Sequence, residues 1–359
     1  MSDLASLVVG ADATALADPA VVPPAWWAGV VGTPHPSGEL AAALASPDAR
    51  SVEGVVVRSM TRVGPAELAA MPRLRALATL SSGVDHLDLD ALGARGVSVS
   101  TGLGGNAPAV AGWVDWALRR CASVSGPQRF TGMRVVVVGV GAVGSAVAAH
   151  LRAAGAEVLA VDPPRQARDP AFVGMSLAAA LATRPEALTL HVPLVRQGPW
   201  PTLGLLDAEA IDALRGAIVL QASRGGVLNE PAALKARSTG WLQALALDVY
   251  CDEPRPNPAL LAVADLATPH IAGHTVEGKL RVAGRALVPF FRALGHDSGP
   301  SEADVEAQCA AAAAALGWAR PGELGDAALD AAAAALRRRE AFRSLRSAHR
   351  RLDPTPAIG

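Results

Sequence analysis

Cysteine is scarce: Cys121, Cys251 and Cys309 are the only three in 359 residues, an odd count with no CxxC pair. That excludes a disulfide framework and a thiolate zinc site, and it fits reduced thiols in a reducing compartment; no metal is expected. Net charge is also nearly absent. With 32 Lys and Arg against 33 Asp and Glu the formal balance is -1, so no global field draws the chain to nucleic acid or to an anionic membrane. Long apolar runs are missing too. The Ala-rich stretch 310–316 is too short and too weakly hydrophobic to cross a bilayer, and the N-terminus has no basic segment followed by an apolar run. A cytoplasmic protein without a membrane partner is the expectation. Aromatic residues, at 4%, do not interleave with the seven arginines between Arg337 and Arg351, so these read as a solvated helix face and not as a nucleic-acid site. No internal repeat of fixed period is found.

What is present is a chain with 51% hydrophobic and 18% charged residues, long enough for two or three domains. Up to residue 106, short β-branched runs such as 55–57 alternate with Ala/Leu-rich segments such as 65–70, which predicts a first α/β domain. Trp113, Trp116 and Ala117 lie at helical spacing where the chain crosses into a second domain, 107–275. There, apolar runs at 133–138, 158–162, 187–191, 217–222, 242–249 and 266–270 each end in a polar or turn residue. Consecutive βα units of this kind imply a parallel sheet, with ligands gathering at the strand ends. A return helix and linker, 276–300, lead to a helical region, 301–359. The expected fold is therefore α/β: two Rossmann-like domains with parallel sheets plus a small C-terminal helical region.

Gly139-Val140-Gly141-Ala142-Val143-Gly144 follows the first strand of the second domain and opens a helix. In that context GxGxxG is a dinucleotide loop. Its first glycine permits the tight turn, its second lets the backbone approach a pyrophosphate, and its third lets helix pack on strand. The next strand ends in Asp162, placed to accept the adenosine ribose hydroxyls and to repel a 2′-phosphate, so NAD is the expected cofactor.

Three further strand-end segments carry polar chemistry: Ala222-Ser223-Arg224-Gly225-Gly226, Asp248-Val249-Tyr250-Cys251-Asp252-Glu253-Pro254, and Thr268-Pro269-His270-Ile271-Ala272-Gly273-His274. In these segments the sequence resembles the D-isomer-specific 2-hydroxyacid dehydrogenases, strongly from about residue 58 to 285. The resemblance implies that Arg224, Glu253 and His270 form the catalytic set. His270 would take the hydroxyl proton, Glu253 would orient the imidazole, and Arg224 would grip the substrate carboxylate. It also implies that Val143, Val192 (in His191-Val192-Pro193-Leu194), Ser223, Asp248 and Gly273 line the cofactor.

Within that family the strings Arg58-Ser59-Met60-Thr61-Arg62-Val63, Asp162-Pro163-Pro164-Arg165 and His270-Ile271-Ala272-Gly273-His274-Thr275-Val276-Glu277-Gly278-Lys279 resemble the members that oxidise a small phosphorylated 2-hydroxy acid. Arg58, Ser59, Ser81 and His274 then become substrate-binding candidates, His274 standing where those relatives have Tyr. The alternatives are another dehydrogenase of the family, acting on 3-phosphoglycerate, lactate or glyoxylate, and a non-enzymatic NAD-sensing partner protein. Finally, Phe342, Leu345, His349 and Leu352 form an apolar helical stripe among arginines, and Phe342-Arg343-Ser344-Leu345-Arg346 resembles part of a dimerisation region. A homodimer through 301–359 is the expectation.

Overall fold

In the computed structural model, residues 9–12, 34–35, 47–59, 61–295, 301, 303–307, 321–337, 342 and 345–346 are described. Their eleven strands are β1 (Val9–Asp12), β2 (Pro34–His35), β3 (Gly54–Val57), β4 (Ala76–Thr79), β5 (Ser98–Thr101), β6 (Arg134–Val138), β7 (Glu157–Val161), β8 (Ala187–Leu190), β9 (Ile218–Gln221), β10 (Ala244–Leu247) and β11 (Leu266–Ala267). They form two sheets, ordered β2-β1-β3-β4-β5 and β11-β10-β9-β8-β6-β7, and the paired strands run parallel. Parallel sheets are covered on both faces, which is why β3, β4, β8, β9 and β10 are buried along their whole length and read as unbroken apolar runs. In each sheet the order reverses beside the first strand, between β1 and β3 and between β6 and β8. Such a reversal opens a crevice at the strand C-termini.

The chain divides into two compact units, 1–106 with 276–319, and 107–275 with 320–359. In the first, the helix Val276–Ala293 packs so closely that a Cβ on Gly102 would come within 2.4 Å of Val282 Cγ1 and one on Gly105 within 2.5 Å of the Val282 nitrogen. Only glycine permits that approach. Val305 presses on Gly284 of the same helix, and Arg281 pairs with Glu306 at 2.9 Å.

In the second unit, the helix Ala107–Ala122 buries Trp113 and Trp116 completely. Arg119 holds Asp326 through two bonds of 2.8 and 3.1 Å, and Arg120 holds Asp330 at 2.6 Å, docking the helix Pro321–Arg337. Among the described residues, the segment after 300 is thus no body of its own. Its described residues 301 and 303–307 belong to the first unit, and 321–337, 342 and 345–346 to the second. The same residues include no helix long and apolar enough to cross a membrane and no cluster suited to a metal ion.

Candidate active site

The glycine loop leaves β6 with Gly139 at φ +84°. A Cβ there would meet the His191 carbonyl oxygen at 2.7 Å and Val192 Cγ1 at 2.7 Å, so the loop is pressed against the end of β8 at the reversal of the sheet. Gly144, in the first turn of the helix Ala142–Ala153, has its Cβ position 1.8 Å from the Gly139 carbonyl oxygen. Gly141, the helix N-cap, has open space where a Cβ would be. Two tight glycines with an open one between them, at a helix N-terminus, fit a pyrophosphate held by backbone N–H groups. Val143 is half-buried in the first turn of that helix.

Asp162 ends β7 as expected. One of its oxygens accepts the Val140 N–H at 2.7 Å and the other the Arg165 N–H at 2.8 Å, tying the loop to the next strand. A carboxylate has lone pairs left for ribose hydroxyls. Arg165 donates to the Val140 carbonyl (2.8 Å) and Ser145 Oγ (3.2 Å) and lies 4.5 Å over the Phe172 ring; Arg168 donates to the Pro164 carbonyl (3.0 Å).

The second cluster sits at the ends of β9, β10 and β11. Buried Gln221 arranges the Arg224 turn: its oxygen accepts from the Ser223 N–H (3.1 Å) and Oγ (2.8 Å), and its amide donates to the Arg224 carbonyl (3.0 Å). Arg224, half-buried, donates to the Ser223 carbonyl at 2.9 Å. A Cβ on Gly225 would sit 2.0 Å from the Tyr250 carbonyl oxygen, so this turn lies directly against the segment that carries Glu253. Glu230 fixes that segment from outside, accepting the Cys251 N–H at 2.7 Å.

Asp248 is fully enclosed. It accepts from Thr268 Oγ1 (2.6 Å), the Ile271 N–H (2.7 Å) and the Ala272 N–H (2.9 Å), while Trp113 Nε1 donates to Thr268 Oγ1 (2.9 Å). Burial raises its pKa, although His270 and these donors act the other way. Its carboxylate therefore anchors the 268–272 turn.

That turn holds His270 at φ +57°, a conformation His adopts rarely, with its N–H donating to the Asp248 (2.8 Å) and Thr268 (3.0 Å) carbonyls. The imidazole Nδ1 lies 2.7 Å from Glu253 Oε2, and Glu253 Oε1 accepts the Tyr250 N–H at 3.1 Å. Burial works against ionisation of Glu253, yet the His270 hydrogen bond and charge, the Tyr250 N–H and the charge of Arg346 hold its carboxyl below the ordinary range. An ionised carboxylate can only accept, so Nδ1 carries the proton and Nε2 presents a lone pair. Gly273 and His274 complete the turn, the His274 N–H donating to the Ile271 carbonyl at 2.9 Å.

In the first unit, Arg58 is half-buried and Ser59 exposed in a turn closed by the Thr61 N–H on the Arg58 carbonyl (2.9 Å). Ser81, the third substrate-binding candidate of this unit, is held by internal hydrogen bonds. Its hydroxyl gives its one proton to the Gly83 carbonyl (2.6 Å), so Thr79 Oγ1 must donate to Ser81 (2.8 Å) and His86 Nε2–H to Thr79 (2.9 Å). Burial lowers the pKa of His86 against the opposing charge of Asp85, which suits the neutral tautomer this relay requires.

Gln221, Glu230, Thr268 and Trp113 were not legible as site-builders; a Gln closing the apolar run of β9 was the one local signal. His191 is held neutral by burial, its pKa pushed down to about 3. Its Nε2 meets Thr189 Oγ1 at 2.9 Å, and its Nδ1 has no partner among the described residues. Part of the apolar stripe of the tail is covered within the chain. Phe342 is buried edge-on against Tyr250 of its own chain and Leu345 packs on the same core; His349, Leu352 and Cys309 lie outside the described residues.

Residues 113–272 match the family model for the D-isomer specific 2-hydroxyacid dehydrogenase, NAD binding domain. An erythronate-4-phosphate dehydrogenase of Salinibacter ruber is 39% identical over 265 residues, 71% of this chain and 66% of that protein. One of Pseudomonas aeruginosa is 42% identical over 234 residues, covering 64% and 60%, and one of Escherichia coli is 36% identical over 269 residues, covering 75% and 68%. The match thus spans slightly less than two thirds of the first two relatives. Among solved structures, a Thermus thermophilus protein superposes with a TM-score of 0.64 at 25% identity, over 81% of this chain and 98% of that one. D-lactate dehydrogenase from Aquifex aeolicus, complexed with NAD and lactic acid, superposes at 0.59 with 22% identity, over 82% and 100%, and speaks for the fold.

Proposed function

The chain belongs to the D-isomer-specific 2-hydroxyacid dehydrogenases, and on that premise we propose that it oxidises 4-phospho-D-erythronate to 3-hydroxy-2-oxo-4-phosphooxybutanoate, a step toward pyridoxal 5'-phosphate. The observation that carries the reading is the 2.7 Å pair of His270 Nδ1 and Glu253 Oε2, on a segment packed directly against the Arg224 turn. The erythronate-4-phosphate dehydrogenases among the relatives supply the substrate.

His270 Nε2 accepts the proton of the C2 hydroxyl as the carbonyl forms, and the Glu253 carboxylate stabilises the resulting imidazolium. Arg224 grips the substrate carboxylate through two parallel N–H bonds, which orients C2. Gly139, Gly141 and Gly144 with the first turn at Val143 would hold the pyrophosphate of NAD, Asp162 the ribose, and Val192, Ser223, Asp248 and Gly273 the remainder. NAD, when bound, accepts the hydride that leaves C2. Arg165 and Arg168, turned to local carbonyls, leave Asp162 to set the preference for NAD over NADP.

The test is NADH formation from 4-phospho-D-erythronate measured beside 3-phosphoglycerate and D-lactate. The four-carbon acid should give the highest kcat/KM by at least about tenfold, over D-lactate because that acid lacks the charged phosphate contact and over 3-phosphoglycerate because its phosphate stands one carbon nearer the carboxylate. A preference for either competitor returns the chain to the broader family, and tight NAD binding without any turnover makes it a sensor.

Arg58 and Ser59 stand at a strand end of the first unit and offer a guanidinium and a hydroxyl to the phosphate. Replacing either by Ala should raise KM for the phosphorylated acid about tenfold or more and leave the unphosphorylated analogue nearly unaffected. Equal shifts on both substrates would assign them to the fold. Ser81, its proton given to Gly83, should behave as a positioning residue for the strand-end turn.

A further inference from the structure

Phe342, Leu345 and Arg346 lie beside the Tyr250–His274 segment of their own chain. Phe342 meets the Tyr250 ring edge-on, with centroids 5.9 Å apart and planes at 80°, and Leu345 packs on the same apolar cluster. Tyr250 is a fixed anchor. It is buried, it shares its hydroxyl proton between the Leu247 (3.2 Å) and Thr268 (3.0 Å) carbonyls, and its backbone N–H holds Glu253. Two apolar anchors three residues apart set the orientation of a helical turn and so decide where residue 346 goes. Arg346 Nε lies 3.5 Å from His274 Nε2, at the outer limit of a hydrogen bond. Its charge also reaches Glu253, as one of the influences that keep that carboxylate ionised.

His274 occupies the turn of His270, four residues on, and Arg346 therefore brings a guanidinium to the substrate end of the second unit. The family match stops at residue 272, so this cation comes from outside the shared NAD-binding module. The hydride and proton transfers are served by Arg224, Glu253 and His270. A further cation from an added segment answers a need those transfers do not have, and the substrate proposed above carries one: a second anionic group. We propose that Arg346, positioned by His274, binds the terminal phosphate of the substrate and selects phosphorylated over unphosphorylated acids. The inference rests on the reaction proposed above.

The test uses the full-length chain as wild type, Arg346→Ala and Arg346→Lys, assayed with 4-phospho-D-erythronate and D-erythronate. For Arg346→Ala, KM for the phosphorylated acid should rise about tenfold to a hundredfold, the loss of one charge-assisted contact, while any change in kcat, through the charge on Glu253, should be the same for the phosphorylated acid and D-erythronate. Arg346→Lys should recover part of the loss, because the charge survives and the planar fork does not. Inorganic phosphate, as a competitive inhibitor, should weaken in parallel. Equal KM shifts on both substrates, no shift, or a fall in Tm with no rescue by Lys would overturn the inference and leave Arg346 as packing. If wild type itself turns over no phosphorylated acid, the proposed reaction fails. Inorganic phosphate in a thermal-shift assay then decides the inference alone: protection lost in Arg346→Ala upholds it, and protection unchanged overturns it.

Discussion

Replacing His270 by Asn is expected to lower kcat by about two to four orders of magnitude, the usual contribution of a positioned general base, while fold and NAD affinity persist. Asn is the informative choice. The residue sits at φ +57°, where Ala would add backbone strain of its own, whereas Asn tolerates the left-handed region and keeps the N–H bonds to the Asp248 and Thr268 carbonyls. Glu253→Gln should follow with a smaller loss. Its amide oxygen still accepts from Nδ1, but no carboxylate remains to stabilise the imidazolium, so the acidic limb of the pH profile should move and NAD affinity should not. Stopped-flow or steady-state NADH formation, with NAD binding followed by protein fluorescence, measures both. Turnover within about tenfold of wild type in His270→Asn would remove His270 from the role of base.

The second large effect is steric. Gly144→Ala should weaken NAD binding by about a hundredfold and lower Tm by several degrees, because overpacking a tight contact costs about 1–3 kcal/mol and here two backbones collide. The added Cβ would stand 1.8 Å from the Gly139 carbonyl oxygen. Gly139 is held in place, since its N–H is bonded to the Val161 carbonyl at 2.8 Å and even a Cβ on it would meet the His191 carbonyl oxygen at 2.7 Å. The helix cannot retreat either without opening the core around Val147, Ala148 and Leu151. Gly141→Ala is the control. Nothing lies within 4 Å of its Cβ position, so Tm should hold while NAD binding falls, the methyl group standing where the pyrophosphate approaches. Equal behaviour of the two variants by calorimetry and NAD titration would contradict this division between packing and ligand approach.

Much of the fold was legible because its causes are local. Unbroken apolar runs of four or five residues, each followed by a helical period, announce buried parallel strands, and GxGxxG between strand and helix announces the turn that Gly139 and Gly144 make. The order Arg224, Glu253, His270 at successive strand ends placed the proposed catalytic set on one edge of one sheet, because every parallel strand delivers its C-terminus to the same side.

What sequence alone determined is therefore the list of parts: the strand and helix types, the nucleotide loop, the catalytic residue types and their order. Only the tertiary structure decided how protons and charges are shared among them. Ser81 was a substrate-binding candidate in the sequence, and the tertiary structure adds that its hydroxyl links Thr79, His86 and Gly83. The Phe342 and Leu345 stripe carried the same periodicity whether its partner was another subunit or its own Tyr250. The apolar surface at Tyr250 accepted it, and that docking set Arg346 beside His274. Periodicity specifies that a face must be covered and hydrogen-bond capacity that a proton must be placed; which neighbour does either is fixed by contacts between residues far apart in the chain, which no local pattern encodes.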